Sequence, residues 1–531
     1  MGLVFALVPP APVGSETRGL PPLAPAPADG LTASLARREI SDAEYALARA
    51  RSLFDLKGTR AKYGGVAAPD PRAATLILRD LKLRLGLLSG EDRQNGERVF
   101  QRPDDGRARD PASVKYRVPS RFLCAAHLCV HFVDSTEHAP PAGDADGDTI
   151  PDWVQWTAYT FEQVWKRDVF RAGFRAPKSD LTSRKHGPDG RLDIYLADLG
   201  SGFFGYCTSD DPNAAPQRDV SAFCVVDNDF NSSQFPYIDA VHALRIAASH
   251  EFFHAIQFAY DISEDPWLME GTAVWAEDYA YDGINDNLRY VETSPLRYPR
   301  MSIDDGLGMR PYGAWIFFRF LSEQFSAKNE LDPTIIREIW DSADARRGAP
   351  NRYSILAVEE AVSRHGAKFG NVLSDFGVWN YFAGSFYEEG ASYRTPILPR
   401  IFQISRLRFG LRRTRLLRHL STEYVVFRPA GARRRAALDI NLDAPPLNRG
   451  PAAKVILHLQ SGRLRVIPLA LDSHGDATTR VQFGRSSVYQ VILVLTNAST
   501  RFNCWKGTLY SCQGKPTDER LPFRFQVRLV R

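Results

Sequence analysis

One segment constrains this 531-residue chain more than any other: DAVHALRIAASHEFFHAIQFAY, residues 239–260, rich in helix formers and free of internal Gly and Pro. It predicts a long helix on which His250 and His254, four residues apart, project side by side, one turn from each other. Two imidazoles so placed can share one cation. Glu251 lies off to one side, where a carboxylate can reach a water beside that cation without binding the cation itself.

The segment that follows, EDPWLMEGTAVWAEDYAYD, predicts a second helix. Asp265 is placed as an N-cap acid and Pro266 in the first helical position. Glu270 then falls in the first turn or so, sixteen residues after His254, which leaves room for the chain to turn back and pack the second helix on the first. A tetrahedral catalytic zinc takes three protein ligands and a water, so His250, His254 and Glu270 make a candidate ligand set with Glu251 as the base. Two buried core histidines are the bland alternative for the first helix alone, and Glu270 argues against it.

HEFFH followed by WLMEGTA resembles the gluzincin metallopeptidases, in which a second helix carries a glutamate ligand. DADGDTIPDWVQ, YLADLG, FGYC, CVVDND and YGAWIFFRFL, in this order, are similar to a poorly characterised group of secreted bacterial zinc metallopeptidases, over about residues 115–400. The resemblance implies a zincin-like catalytic domain, with Glu251 activating a zinc-bound water for attack on a peptide carbonyl. It also implies an oxyanion donor from a later helix. Tyr312, behind Pro311, stands where such a helix starts; its alternative is a packing aromatic. The thermolysin pattern has an Asp four residues past the glutamate ligand, but Val274 stands there. Glu277, two turns on from Glu270, is the candidate carboxylate for orienting a ligand histidine.

In GDADGDTIPDW, Asp144, Asp146, Asp148 and Asp152 are spaced to converge on a hard cation, with Gly147 permitting a tight turn. Thr149 and Gln155 stand at the sixth and twelfth positions, so the loop is no EF-hand. It resembles the loops of extracellular calcium-binding repeats, and a helix is expected to begin near Pro151. His127 and His131 read as structural.

The six cysteines fall into three local pairs, Cys124 with Cys129, Cys207 with Cys224 and Cys504 with Cys512, none with CxxC spacing. Short-loop disulfides of an exported protein are the expectation, against six reduced buried thiols. No run of 18 apolar residues occurs, which argues against a membrane-spanning helix. MGLVFALVPPAPVGSETRG is either the remnant of a signal peptide or a Pro/Ala-rich arm. Hydrophobic residues at 44% and charged residues at 24% are globular proportions, and a net charge of +5 with interleaved signs gives no ground for a nucleic-acid partner.

The expected organisation has four parts. Residues 1–30 are the signal remnant or flexible arm. Residues 31–112 form a helical pro-region, with Ser41 and Glu44 capping a helix that runs to about Phe54 and a second, amphipathic segment, PRAATLILRDLKLRLGLL, before the polar linker SGEDRQNGERVFQRPDDGRARDPASVKY. Residues 113–400 form an α+β metallopeptidase domain. Residues 401–531 carry seven or eight short β-rich runs that indicate a β-sandwich. The basic run RLRFGLRRTRLLRHL, with Arg433, Arg434 and Arg435 beyond it, reads as a solvated connection, with contact to an anionic glycan or cell envelope as the sharper alternative. The functional expectation is a secreted, monomeric zinc endopeptidase made as a zymogen, with Zn²⁺ and Ca²⁺ and a protein or peptide substrate. The competing class is an extracellular binding or surface protein whose zinc and calcium sites are structural.

Overall fold

The computed structural model describes residue 23 and residues 29–530, apart from 107–112, 184, 201, 213–217, 328–330, 398–400, 406–409 and 431–435. Most of the N-terminal arm and Arg433, Arg434 and Arg435 therefore lie outside the described residues.

Among the described residues the first elements are the α-helices α1 (Gly30–Ala36), α2 (Asp42–Phe54), α3 (Leu56–Tyr63), α4 (Ala74–Arg84) and α5 (Gly90–Val99). The capping box starts α2 as read: Ser41 Oγ accepts from Glu44 N at 3.2 Å and the Glu44 carboxylate accepts from Ser41 N at 2.7 Å. Two expectations change here. The polar stretch taken for a linker contains α5 and, beyond it, Arg102, fully buried among Asp180 (2.6 Å), Asp193 and Asp210 (2.9 Å). A buried guanidinium needs such partners, so this segment is anchored up to Arg102 at least. The second change concerns α4, read as amphipathic but buried along its whole length. Arg79 pairs with Asp80 at 2.8 Å, Arg84 donates to Asp80 O at 3.2 Å, and the Lys82 ammonium lies 5.2 Å from the ring centroid of Phe100.

A five-stranded sheet follows, made of β1 (Arg121–Cys124), β2 (Leu128–Phe132), β3 (Leu192–Ala197), β4 (Gly205–Thr208) and β5 (Phe223–Asp227), in the order β1-β2-β3-β5-β4. The three central strands are parallel, and an antiparallel strand closes each edge. Strand alternation sorts β3 between two layers. Ile194 and Leu196 join the core beneath the later helices, while Tyr195 and Ala197 pack with Leu47, Ile77 and Leu81 of α2 and α4. The N-terminal helices thus share a core with the sheet. The other face carries α6 (Asp152–Trp165), α7 (Ala240–Asp261) and α8 (Pro266–Tyr281), followed by α9 (Arg310–Gly313), α10 (Trp315–Gln324), α11 (Thr334–Ala343), α12 (Ile355–Arg364) and α13 (Phe369–Tyr381).

The C-terminal region is sheet-rich. Its strands are β6 (Ile401–Ile404), β7 (Gly410–Leu417), β8 (Ser421–Pro429), β9 (Ala437–Asp443), β10 (Pro451–Leu459), β11 (Leu464–Pro468), β12 (Asp476–Gln482), β13 (Val488–Asn497), the short pair β14 (Phe502–Asn503) and β15 (Lys515–Pro516), and β16 (Leu521–Val530). A five-stranded sheet, β11-β10-β13-β8-β6, and a four-stranded one, β12-β9-β16-β7, close on one core. Part of the basic run is not a connection: it is β7, paired with β16 along the edge of the smaller sheet. Arginines on an edge strand discourage pairing with another chain. Three disulfides form, Cys124–Cys129 within the β1–β2 hairpin, Cys207–Cys224 between β4 and β5, and Cys504–Cys512 near the C-terminus. Among the described residues no helix is long and apolar enough to cross a membrane.

Candidate metal centre

The long helix α7 is capped by Asp239, whose carboxylate accepts from His242 N at 3.0 Å. After a short turn, α8 starts with Pro266 in its first turn and Asp265 at the N-cap position. The Asp265 side chain, however, caps nothing. One oxygen accepts from Tyr353 Oη at 3.0 Å and the other from Cys512 N at 2.7 Å, so the acid read as a cap instead ties the start of α8 to the C-terminal disulfide. Gly271 lets α8 approach α10, since a Cβ there would lie 2.7 Å from a Phe318 ring carbon.

The helix pair brings His250, His254 and Glu270 together, one potential ligand atom from each lying within 4.8 Å of the others. The two Nε2 atoms stand 3.1 Å apart, and Glu270 Oε2 lies 3.3 Å from that of His250 and 3.7 Å from that of His254. Hydrogen bonds on the far side of each ring assign the protons. Gln257 Nε2 donates to Met269 O (2.8 Å) and Thr272 Oγ1 (3.0 Å), which turns Gln257 Oε1 toward His254 Nδ1 at 2.7 Å. His250 Nδ1 donates to Glu277 Oε1 at 2.7 Å. Both Nδ1 atoms therefore carry hydrogen, and two Nε2 lone pairs face one another beside Glu270, whose two buried carboxylate oxygens have no hydrogen-bond partner.

Such a set demands positive charge. A proton meets part of the demand: although burial opposes it, the adjoining Glu270 and Glu277 carboxylates hold His250 well above the usual histidine range, while burial takes His254 down to about 4. A divalent cation on two Nε2 atoms and a carboxylate would satisfy all three groups. The donor set, two imidazoles and one carboxylate with carboxylate and amide supports behind the rings, suits zinc.

Glu251 is not among these donors. Its Oε2 accepts from Thr75 Oγ1 of α4 at 3.1 Å, and burial raises its pKa to about 7. The same Thr75 oxygen accepts from Cys207 N at 3.0 Å, on the open side of edge strand β4. Gly205 permits this closeness, because a Cβ there would meet Glu251 Cγ at 3.2 Å. Tyr312, in α9, stacks on His250 with ring centroids 6.2 Å apart, and its hydroxyl donates to Arg72 O at 2.7 Å. His250, Glu251, Glu277 and Tyr312 border a cavity of about 30 Å³ that Arg72 helps to close. This is room for little more than a water molecule.

Elsewhere, Asp144, Asp146 and Asp148 converge on an exposed loop, where Asp144 accepts from Gly147 N (2.8 Å) and Thr149 N (2.9 Å). Asp152 stands apart from them at the start of α6, facing Ala145 N at 3.2 Å. A third acidic group, Asp278, Asp282 and Glu389, surrounds Arg319, whose charge already serves it. His127 pairs with Glu162 at 2.8 Å and His131 with Asp193 at 2.7 Å, both within the fold's own network.

No family model matches the sequence, and comparison with curated proteins gives no match. Among solved structures, the chain has slight similarity to the pre-peptidase C-terminal domain of collagenase from Bacillus anthracis, at 12% identity and TM-score 0.15 over 25% of this chain and 98% of that one. PliG of Aeromonas hydrophila, a periplasmic inhibitor of g-type lysozyme, gives 7% and 0.15 with the same coverage. The GH115 4-O-methyl-α-glucuronidase BtGH115A gives 11% and 0.14 over 54% of this chain and 41% of that one. Likeness this low carries no functional argument.

Proposed function

We propose that the chain is an exported zinc endopeptidase of the gluzincin type, with a zincin-like catalytic domain and a closed, zymogen-like N-terminal arrangement. One observation carries this reading: two imidazole Nε2 atoms and an unpartnered buried carboxylate converge beside a second carboxylate, Glu251, that takes no part in the cluster. A purely structural zinc site, the competing reading, has no use for Glu251. Three disulfides agree with export. The loop of Asp144, Asp146 and Asp148 is proposed as a structural calcium site, to which Asp152 would have to swing.

Zinc, held by His250, His254 and Glu270, would supply Lewis-acid polarisation of the scissile carbonyl. Glu251 would take the proton of the attacking water and return it to the leaving amine, a duty suited to a carboxylate whose pKa lies near 7. Tyr312 would donate to the developing oxyanion once its hydroxyl leaves Arg72 O. An extended substrate would pair with the open edge of β4. Thr75 and α4 occupy that edge, so activity requires their displacement.

The test compares wild type with Glu251→Gln for zinc content and for casein cleavage, before and after limited proteolysis. Equal zinc and a loss of roughly 10²–10⁴-fold in cleavage are expected. Cleavage at the wild-type rate would remove the assignment.

A further inference from the structure

The helical region meets the sheet-rich one beside residues 298–303, where Thr422 N donates to Pro299 O at 2.9 Å and Ile303 N to Leu420 O at 3.0 Å. Two concavities, of about 630 and 430 Å³, open along this seam and share Arg300 and Arg418 in their walls. Arg310 also lines the first, and Arg415 and Arg520 line the second. Five guanidiniums therefore border the pair, against two carboxylates, Glu292 and Glu519. Both acids are engaged by cations outside the walls, Glu292 by Arg394 at 3.0 Å and Glu519 by His419 at 2.6 Å.

Glu423 of β8, fully buried, lies 3.1 Å from Arg415 and 3.4 Å from Arg300. One carboxylate fixes two guanidiniums there and cancels the charge of only one. Asp305 meets Arg310. Arg418 has Glu519 3.9 Å away, shared with His419, and Arg520 forms no ion pair among the described residues. The side chains of Arg300 and Arg418, common to both concavities, are 60% and 51% exposed, so this surplus of positive charge faces solvent.

Fixed guanidinium forks match the paired oxygens of carboxylates and of sulfate or phosphate groups. Each volume lies within the roughly 300–1,000 Å³ of sites that enclose a small molecule, and two in tandem suit a ligand of several linked units. Polymers of three classes carry repeated anions. A nucleic-acid strand wants a row of rings to stack on, and Tyr298 is the one aromatic among the described residues of the walls. An acidic polypeptide would add to the open edge of β7, whose arginines disfavour strand addition. A sugar chain needs neither, since its acid groups take the guanidiniums and an apolar ring face can rest on Tyr298, 44% exposed.

We propose that this groove binds a linear polysaccharide bearing uronate or sulfate groups. The site would serve whether or not the metal centre hydrolyses peptides. Fluorescence anisotropy on the full chain, with labelled oligosaccharides of heparin and of polygalacturonate, separates sulfate from uronate, and neutral dextran is the blank. Binding of at least one acidic glycan and not of dextran is expected, weakening as salt rises. Arg418→Gln combined with Arg520→Gln, both exposed, should weaken it about tenfold or more at unchanged Tm. Arg463→Gln with Arg465→Gln, an equal change of charge at the β10–β11 hairpin, should weaken it by less than about twofold. Equal losses in the two double variants would reduce the attraction to net charge and overturn the groove, as would failure of both acidic glycans to bind at low salt. Tighter binding of a thymidine oligonucleotide or of polyglutamate, lost in the variant at 418 and 520, would overturn the glycan in favour of that polymer.

Discussion

Gln257 and Glu277 bond the far side of each imidazole in the proposed metal centre, fixing which nitrogen carries hydrogen and how each ring is turned. Substituting either by Ala is expected to weaken zinc binding about 10–100-fold with the helices retained, as read by zinc titration alongside circular dichroism. Unchanged affinity would mean that the rings are held by packing alone. Glu277 was legible in the sequence because two turns of helix carry a side chain back to the same face. Gln257 was equally local, three residues past His254, yet a glutamine has no metal chemistry of its own to draw the eye.

At the level of elements, α7 and α8 carry the three proposed zinc ligands, while α4 reaches Glu251 through Thr75. Each helix of the pair could be read because its start, spacing and length are written within some twenty residues. The bond from Thr75 to Glu251 joins residues 176 apart, and no local pattern records it. The burial of α4 was hidden for a similar reason: Arg79, polar on paper, is satisfied by Asp80 and by Glu264 O at 2.8 Å. Thr75→Val keeps the shape and strands both Cys207 N–H and Glu251. It should cost about 1–3 kcal/mol of stability in denaturant unfolding and, on the proposed peptidase reading, raise basal hydrolysis by freeing Glu251. A gain in stability would show that the hydroxyl holds nothing. Packing between elements gives a further check: Gly271→Ala pushes α8 against Phe318 and is expected to destabilise by about 1–3 kcal/mol, seen as a lowered Tm.

Across the whole molecule, the helical and sheet-rich regions are joined by buried charge. His419, before β8, lies between Asp304 (3.0 Å) and Glu519 (2.6 Å). Burial opposes its protonation, but the Asp304 carboxylate prevails and raises its pKa to about 9. Asp304 is lowered despite its own burial, chiefly by the His419 charge, and Glu519 is lowered too. A raised histidine stabilises fully below its unfolded pKa of about 6.5 and ceases to as pH climbs through 9, while the lowered acids contribute above about pH 4. Tm should therefore fall by several degrees between pH 6.5 and 9, and His419→Gln should flatten that slope; an identical slope would locate the titration elsewhere. The link from Cys512 N to Asp265 has a consequence in time. A chain is made from its N-terminus, and the acid at the start of α8 gains this partner only after residue 512 has left the ribosome. The helix that carries Glu270 is thus among the last parts to be secured, and a truncated product would leave its ligand helix unfinished.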